Sequence, residues 1–239
     1  MQETEASEKV LLSSRIAHYF PKANQILFAS FNNKFSGRNC YIVGRGPTKF
    51  EHEKLSLIKD PIFFINDAVL LEKYASGETF FFAHGRKMIP LLQRVVKSVA
   101  VLVIDGTFFV KDSQIIRNYS GDIVGYHWHK IGKAELLKMS RDEIAKNNEL
   151  YTHSGTIHSV LHFIWYCGFQ NIFLIGCDGI NNKVFLKTFF KSKDGYDPRL
   201  ENISRTNPWW NYRTIRHVQN RLIKIFELNP VYLGTPDRF

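Results

Sequence analysis

Short apolar runs separated by turn-forming residues recur along the first half of the chain. The runs 40–44, Ile62–Ile65, Thr79–Phe82 and Val99–Ile104 read as strands. Between them, Leu70–Tyr74 starts a helix and Pro90–Val96 reads as another. Gly155–Cys167 is largely apolar and is followed by Gly168 as a C-terminal stop, which predicts the best helix of the sequence. Ile172–Ile175 is the next strand. Trp209–Phe226 carries Val218, Leu222, Ile225 and Phe226 at helical spacing, and Val231–Leu233 adds a last short strand. Alternation of strand, turn and helix predicts an α/β fold with a Rossmann-like, doubly wound, mostly parallel sheet.

The remaining stretches are less regular. Residues 1–38 read as a helical N-terminal extension, with Val10, Leu11, Ile16, Phe20, Ile26, Leu27 and Phe31 as its apolar positions and an interruption at Pro21. Its expected role is to cover a sheet edge or act as an interaction arm. Residues 39–239 form the main domain, with about 105–150 as an acceptor-side lid. That lid contains the aromatic and basic segment 125–130 and a capping box of Ser140 with Glu143. Residues 179–207 are polar, rich in Lys and Asn, and read as a loop. There is no internal repeat.

Charge narrows the partners. With 32 Lys and Arg against 22 Asp and Glu, the net charge is +10. Such an excess attracts nucleic acid, anionic membrane surfaces or phosphorylated substrates. The basic residues are scattered and form no tail. Cys40, Cys167 and Cys177 fit no metal spacing and read as buried free thiols, which points to a reducing, cytoplasmic compartment. Met1 is followed by polar and acidic residues, so no signal peptide is expected. No apolar stretch reaches the roughly 18 residues of a membrane span. The expected location is therefore cytoplasmic, peripheral at most to an anionic surface.

Two turns carry most of the candidate chemistry. Gly44-Arg45-Gly46-Pro47-Thr48 follows the first strand, and Ser154-Gly155 precedes the best helix. Small residues at a strand-to-helix turn let backbone N–H groups approach a phosphate. Two such turns in one parallel sheet suggest a nucleotide held across the carboxyl ends of the strands. His84, Asp67 and Asp178 also end strands at that edge. Asp67 and Asp178 suit ribose binding, base catalysis or a helix cap, and His84, His127 and His217 are candidate bases. His127 and His129 flank Trp128 but lack a third ligand, so no metal site is expected. His158 and His162 sit one turn apart on an apolar helix and read as packing residues. Arg45, Arg86 and Arg213 are candidate phosphate partners, and His153 lies beside Ser154. Trp209, Trp210 and Tyr212, interleaved with Arg213 and Arg216, read either as a stacking and phosphate-contacting segment or as a staple at a helix start.

These pieces resemble a known family. The turn at 44–48 resembles the Gly-Asn-Gly-Pro-Ser turn of the bacterial sialyltransferases of glycosyltransferase family 42. It is also similar to turns in the related domain (domain of unknown function 115) of motility accessory factors and in archaeal hydroxymethylpterin pyrophosphokinases. Phe64-Ile65-Asn66-Asp67, Ser154-Gly155 and the run from Gly168 to Asp178 resemble further motifs of that family, in the same order. The resemblance implies a variant of the GT-A and GT-B glycosyltransferase folds, a nucleotide-sugar donor and no cofactor. Gly44, Gly46 and Thr48 would lie near the donor phosphate or sugar, and Asn66 would hydrogen-bond the donor. Ser154 and Gly155 would meet the nucleotide, and Asp178 the ribose or base. Arg45 departs from the family's Asn, Ile180 and Asn181 stand where it has tyrosines, and its base His is replaced by the segment 209–212.

The leading expectation is a metal-independent glycosyltransferase moving a sugar from a nucleotide-activated donor to an acceptor hydroxyl. The acceptor would be a glycan or, in a DNA-modifying version, a hydroxymethylated base. The alternatives are a magnesium-dependent pyrophosphokinase-like enzyme and a non-catalytic nucleic-acid-binding module.

Overall fold

Eight strands pair side by side, all in parallel, in the order β6-β5-β4-β3-β2-β1-β7-β8. They are β1 (Asn39–Val43), β2 (Ile62–Ile65), β3 (Thr79–Ala83), β4 (Val99–Val103), β5 (Ile123–His129), β6 (Glu149–Tyr151), β7 (Asn171–Ile175) and β8 (Asn229–Tyr232). The α-helices α1 (Thr156–Tyr166) and α2 (Tyr212–Ile225) precede β7 and β8. This computed structural model describes residues 28–44, 51–83, 86–103, 114–116, 118–129, 148–151, 155–177 and 212–233.

The apolar runs are continuous because both faces of the sheet are covered. Alternate strand residues fall into two separate cores. Ile42, Phe63, Phe80, Phe82, Val124, Tyr126 and Leu174 face α1 and α2. Val43, Phe64, Phe81, Leu102 and Ile175 face the crossovers that follow β1, β2 and β3. Those crossovers are 3-10 helices: His52–Leu57, Asn66–Tyr74 and Arg86–Arg94. The expected helices at 70–74 and 90–96 fall within two of these segments, but each segment starts four residues earlier, at Asn66 and Arg86, and is 3-10 in type. A 3-10 helix rises about 2.0 Å per residue against about 1.5 Å for an α-helix. The nine residues of Asn66–Tyr74 therefore span roughly 18 Å, enough to return along a short strand inside a brief connection.

The first core is built of phenylalanine. Phe63 stacks on Phe80 at 4.6 Å, Phe35 on Phe169 at 4.9 Å, and Phe163 packs edge-on to Phe82 at 5.3 Å. Phe28, Phe31 and Phe35 are all buried in this core. The described end of the expected N-terminal extension thus packs onto the sheet face and not along an edge; residues 1–27 lie outside the described residues. Its turn also caps α1. Asn33 N donates to Tyr166 O at 3.0 Å and Phe35 N to Cys167 O at 2.9 Å. Gly168, at φ +90°, closes α1 with bonds from its own N to Trp165 O and from Phe169 N to Ile164 O. A Cβ there would meet Ser36 Cα at 3.1 Å, so the glycine is needed for packing as well as for its backbone conformation.

One expectation changes here. The region 105–150, read as a lid, contributes β5 and β6 to the main sheet. Its basic and aromatic residues hid the strand, in which Val124 and Tyr126 point into the core. The capping box at Ser140, the loop 179–207 and the segment 209–211 lie outside the described residues.

Polar groups pin the amino-terminal edge. Asn229 Nδ2 donates to Asn171 Oδ1 (3.2 Å), Asn171 Nδ2 to Asn39 Oδ1 (3.1 Å) and Asn39 Nδ2 to Asp60 Oδ2 (3.4 Å). The three asparagines are register partners in β8, β7 and β1, so a slip of one strand would break the amide ladder. On β8, Asn229 N and Leu233 N bond toward β7, which leaves Pro230 at an outward position where it blocks further strand addition. All three cysteines are buried, and none forms a disulfide. Burial, and secondarily Asp60, raises the Cys40 thiol well above its ordinary value, so it stays protonated and inert. No helix among the described residues is long and apolar enough to cross a membrane.

Candidate functional site

The strand order reverses beside β1. Strands β2 to β6 extend on one side of it, β7 and β8 on the other. At such a switch point the connections leave toward opposite faces, and a crevice opens at the carboxyl ends of the strands. Here those ends are Val43–Gly44 and Ile175–Gly176–Cys177, with Ile65–Asn66–Asp67 alongside on β2.

The two corners touch. Gly44 N donates to Ile175 O at 2.8 Å. A Cβ on Gly44 would lie 2.6 Å from Gly176 O and 3.2 Å from Cys177 Sγ. Gly44 is therefore small because β1 and β7 close together at this edge. Gly176 sits at φ +62°, a left-handed conformation that glycine adopts without a Cβ penalty. Gly44→Ala pushes a methyl into a backbone oxygen that has no flexible side chain to yield. We expect a stability loss of about 2–3 kcal/mol, measurable as a lower denaturant midpoint at unchanged m-value. A loss under 0.5 kcal/mol would mean that the corner is looser than described.

Asn66 sits at φ +53°, a left-handed conformation that asparagine tolerates better than most residues. It turns the chain from β2 into its 3-10 crossover and places Asp67, 8% exposed, at the same edge. Across 90 residues of sequence, Thr156 Oγ1 donates to Asn66 Oδ1 at 3.2 Å. That bond engages the amide oxygen, so the two Nδ2 hydrogens are left to point elsewhere. It also ties the start of α1 to the end of β2.

Gly155 forms the N-cap of α1 in an extended conformation and offers no side-chain acceptor to the first turn. That turn holds no acidic residue, so the partial positive charge of the helix start is uncompensated by its own side chains. Backbone N–H groups at such a terminus suit a phosphate or carboxylate.

Gly44, Asn66, Asp67 and Gly155 thus share one edge of the sheet. Arg45, Gly46, Thr48, His84, His153, Ser154, Asp178 and Trp209 lie outside the described residues. Arg86 opens a 3-10 helix and Arg213 lies in the first turn of α2, but their side chains also lie outside the described set. His127 is half-buried on β5, three strands from β2 and so roughly 14 Å away. His217 is exposed on the outer side of α2, away from Val218 and Leu222. His158 and His162 are fully buried on α1, as packing residues would be. Among the described residues no group of His, Cys, Asp or Glu is arranged to hold a metal ion.

The link between Asn66 and Thr156 is absent from the sequence reading. Its signal was a threonine directly after Ser154-Gly155, but only the crossing of α1 over β2 shows what it meets. An open groove of about 320 Å³, lined by residues that include Asn33, Trp165, Gln170, Phe226 and Asn229, lies at the opposite, amino-terminal edge. It is remote from the switch point. No family model matches the chain, and no curated protein matches it.

Proposed function

We propose that this protein is a glycosyltransferase that moves a sugar from a nucleotide-activated donor to an acceptor hydroxyl without a metal ion. The observation that carries the reading is the arrangement at the switch point. Gly44 and Gly176 close the floor, and Asn66, held by Thr156, stands beside the start of α1, whose first turn holds no acidic residue. A nucleoside mono- or diphosphate ester fits such an edge, since N–H groups of a helix start and an amide with its oxygen engaged all present donors. The resemblance to glycosyltransferase family 42 supplies the sugar-transfer chemistry.

In this reading the phosphate of the donor lies at the start of α1, next to the Gly44 turn. Asn66 Nδ2 donates to the donor and fixes its orientation. As the anomeric bond breaks, negative charge grows on the leaving phosphate, and the helix start together with Arg45 stabilises it. Asp67, a carboxylate at this edge, takes the acceptor proton in this reading. His84, which follows β3, is the second candidate for that proton.

Thermal-shift titration with CMP-, UDP- and GDP-linked sugars tests the donor. A ligand present at 100 times its Kd stabilises by about 2.7 kcal/mol and raises the Tm visibly. Stabilisation by no member of the panel would remove the proposal. Thr156→Val tests the geometry. Losing one neutral hydrogen bond that orients Asn66 should weaken donor binding about 5- to 10-fold. The Tm without ligand should fall by no more than about 3 °C. Unchanged donor affinity in that variant would show that Asn66 is not a donor ligand.

A further inference from the structure

The open groove at the amino-terminal edge forms where α1 and α2 stop. Helix α1 ends with bonds from Gly168 N to Trp165 O and from Phe169 N to Ile164 O. Helix α2 ends in the same way, with Glu227 N bonded to Lys224 O and Leu228 N to Ile223 O. The strands that follow are neighbours, and Asn229 N donates to Gln170 O at 2.8 Å. Both helix ends therefore line one groove. The turn that holds Asn33, bonded to Tyr166 O, lines it as well.

The two ends differ at one position. A helix stop of this type needs a left-handed residue, and glycine is the usual choice. Helix α1 has Gly168 there, at φ +90°, but α2 has Glu227, at φ +53°. A Cβ makes that conformation unfavourable, so Glu227 is less stable in this place than glycine would be. The side chain it brings is exposed, lines the groove and makes no ion pair among the described residues. A residue that breaks a local rule with no compensating contact is where function is to be sought.

Trp165 is the second distinctive element. It is half-buried, lines the groove, and its indole stacks near-parallel on Phe226 at 5.0 Å. Asn33, Gln170 and Asn229, all exposed, line the groove with it. Each of these planar amides offers donors and an acceptor. Among the described residues no Lys or Arg lines the groove, so nothing there suits a phosphate. Among the same residues no group of carboxylates, His or Cys is arranged for a metal ion. Five of the nine lining residues are polar, which argues against an aliphatic ligand.

We propose that this groove binds a neutral saccharide. A pyranose ring carries C–H groups on its faces and hydroxyls around its rim. The C–H face packs on a fixed indole, and the hydroxyls, which donate and accept, pair with amides and a carboxylate. The partial negative charge at two helix ends favours the same pairing, because it attracts hydroxyl hydrogens. The groove is open, and its volume of about 320 Å³ lies at the low end for small-molecule sites. That suits a short stretch of a longer glycan. The inference does not rest on the transferase reading, because the groove shares no residue with the edge that holds Asn66 and Gly155.

The test is saturation-transfer NMR and calorimetry of the full chain with maltotriose, cellotriose and triacetylchitotriose. Each is used at about 10 mM, which fills most of a site of millimolar Kd. At least one should bind, with a change in tryptophan emission that Trp165→Phe abolishes. Glu227→Gly should weaken that binding about 10-fold, as loss of a hydrogen bond to a charged acceptor does. The Tm of this variant should stay the same or rise by up to about 3 °C, so unfolding cannot account for the loss. Gln170→Ala, at an exposed site, should weaken binding about 5-fold. Overturning results are binding of none of the three sugars, or binding that Glu227→Gly leaves undiminished. Binding of tetramethylammonium with none of the sugars would also overturn it, by making the indole and carboxylate a cation site. Thermal shifts with nucleotide-sugars report the switch point separately. A protein that keeps those shifts but binds no trisaccharide loses this inference alone. One that binds a trisaccharide through Glu227 but no donor loses the transferase alone.

Discussion

Glu72→Ala lowers the stability of this protein by about 3–4 kcal/mol and its Tm by roughly 10 °C. Glu72 lies in the 3-10 helix after β2, is 4% exposed, and reaches across to the turn that opens β4. Its Oε2 accepts from Val96 N at 2.8 Å, and its Oε1 from Lys97 N at 3.2 Å. Oε1 also receives both Ser98 N and Ser98 Oγ. Lys97 Nζ bonds to Ala75 O, and the Tyr119 hydroxyl to Ser98 O, so the same turn is held from three sides. Burial first, and the Glu72 carboxylate second, raises the Tyr119 phenol well above its usual value, which keeps it a donor. Deleting the carboxylate leaves Ser98, fully buried, with two unsatisfied donors and adds a cavity.

Glu72→Gln is not a rescue. It keeps one oxygen but turns an NH₂ toward a backbone N–H, so about half of the loss should remain. Chemical denaturation of the three proteins measures this, and a loss under 1 kcal/mol for Ala would contradict the arrangement. Because Glu72 contacts the amino-terminal edge, donor affinity of the folded Glu72→Ala protein should match that of the parent. Stability and site function then separate along the length of the strands.

Acid destabilises this fold through His162. His162 Nδ1 accepts the N–H of Tyr151 at 2.8 Å, which leaves the ring proton on Nε2. Nε2 finds no partner among the described residues. The ring lies parallel to Phe226 at 5.2 Å and near-parallel to Trp165 at 5.7 Å. Burial pushes its pKa down from 6.5 to about 3. The unfolded chain therefore binds a proton that the folded chain refuses between those values. The associated stability is complete above about pH 6.5 and is lost as the pH falls toward 3. The full span corresponds to roughly 4–5 kcal/mol, of which about 2.5 kcal/mol disappears between pH 7 and pH 4.5. Urea titrations of the parent and of His162→Gln at these two pH values isolate the effect, since shared carboxylates cancel. Equal pH dependence in both proteins would show that His162 is not the group responsible.

His162 also shows how far a reading of local pattern reaches. Its place on an apolar helix, one turn from His158, identified it as a packing residue. Nothing local indicated that its partner would be the backbone of β6, because β6 itself was unrecognised. Glu72 is a similar case, an acidic residue among apolar ones whose five donors come from Thr79 and from residues 96–98. Its hydrogen bonds exist only because β2 and β4 flank β3. At the candidate site, the glycine turn and Asn66 stand out in the sequence as candidates, whereas the close approach of Gly44 to the Gly176 corner, where β1 and β7 meet, leaves no local trace.

The amino-acid order alone determined six of the eight strand-forming runs, helices α1 and α2, and the α/β class. Burial on both faces demands uninterrupted apolar segments, and burial on one helical face demands a period near 3.6, so each leaves a local trace. Tertiary structure decided which strands are neighbours, where the order reverses, that 123–129 and 149–151 join the sheet, and that Thr156 meets Asn66. These depend on pairings between residues many tens of positions apart. Such pairings are selected by the shared core they bury and by the connection lengths between strands, neither of which is written in any one segment.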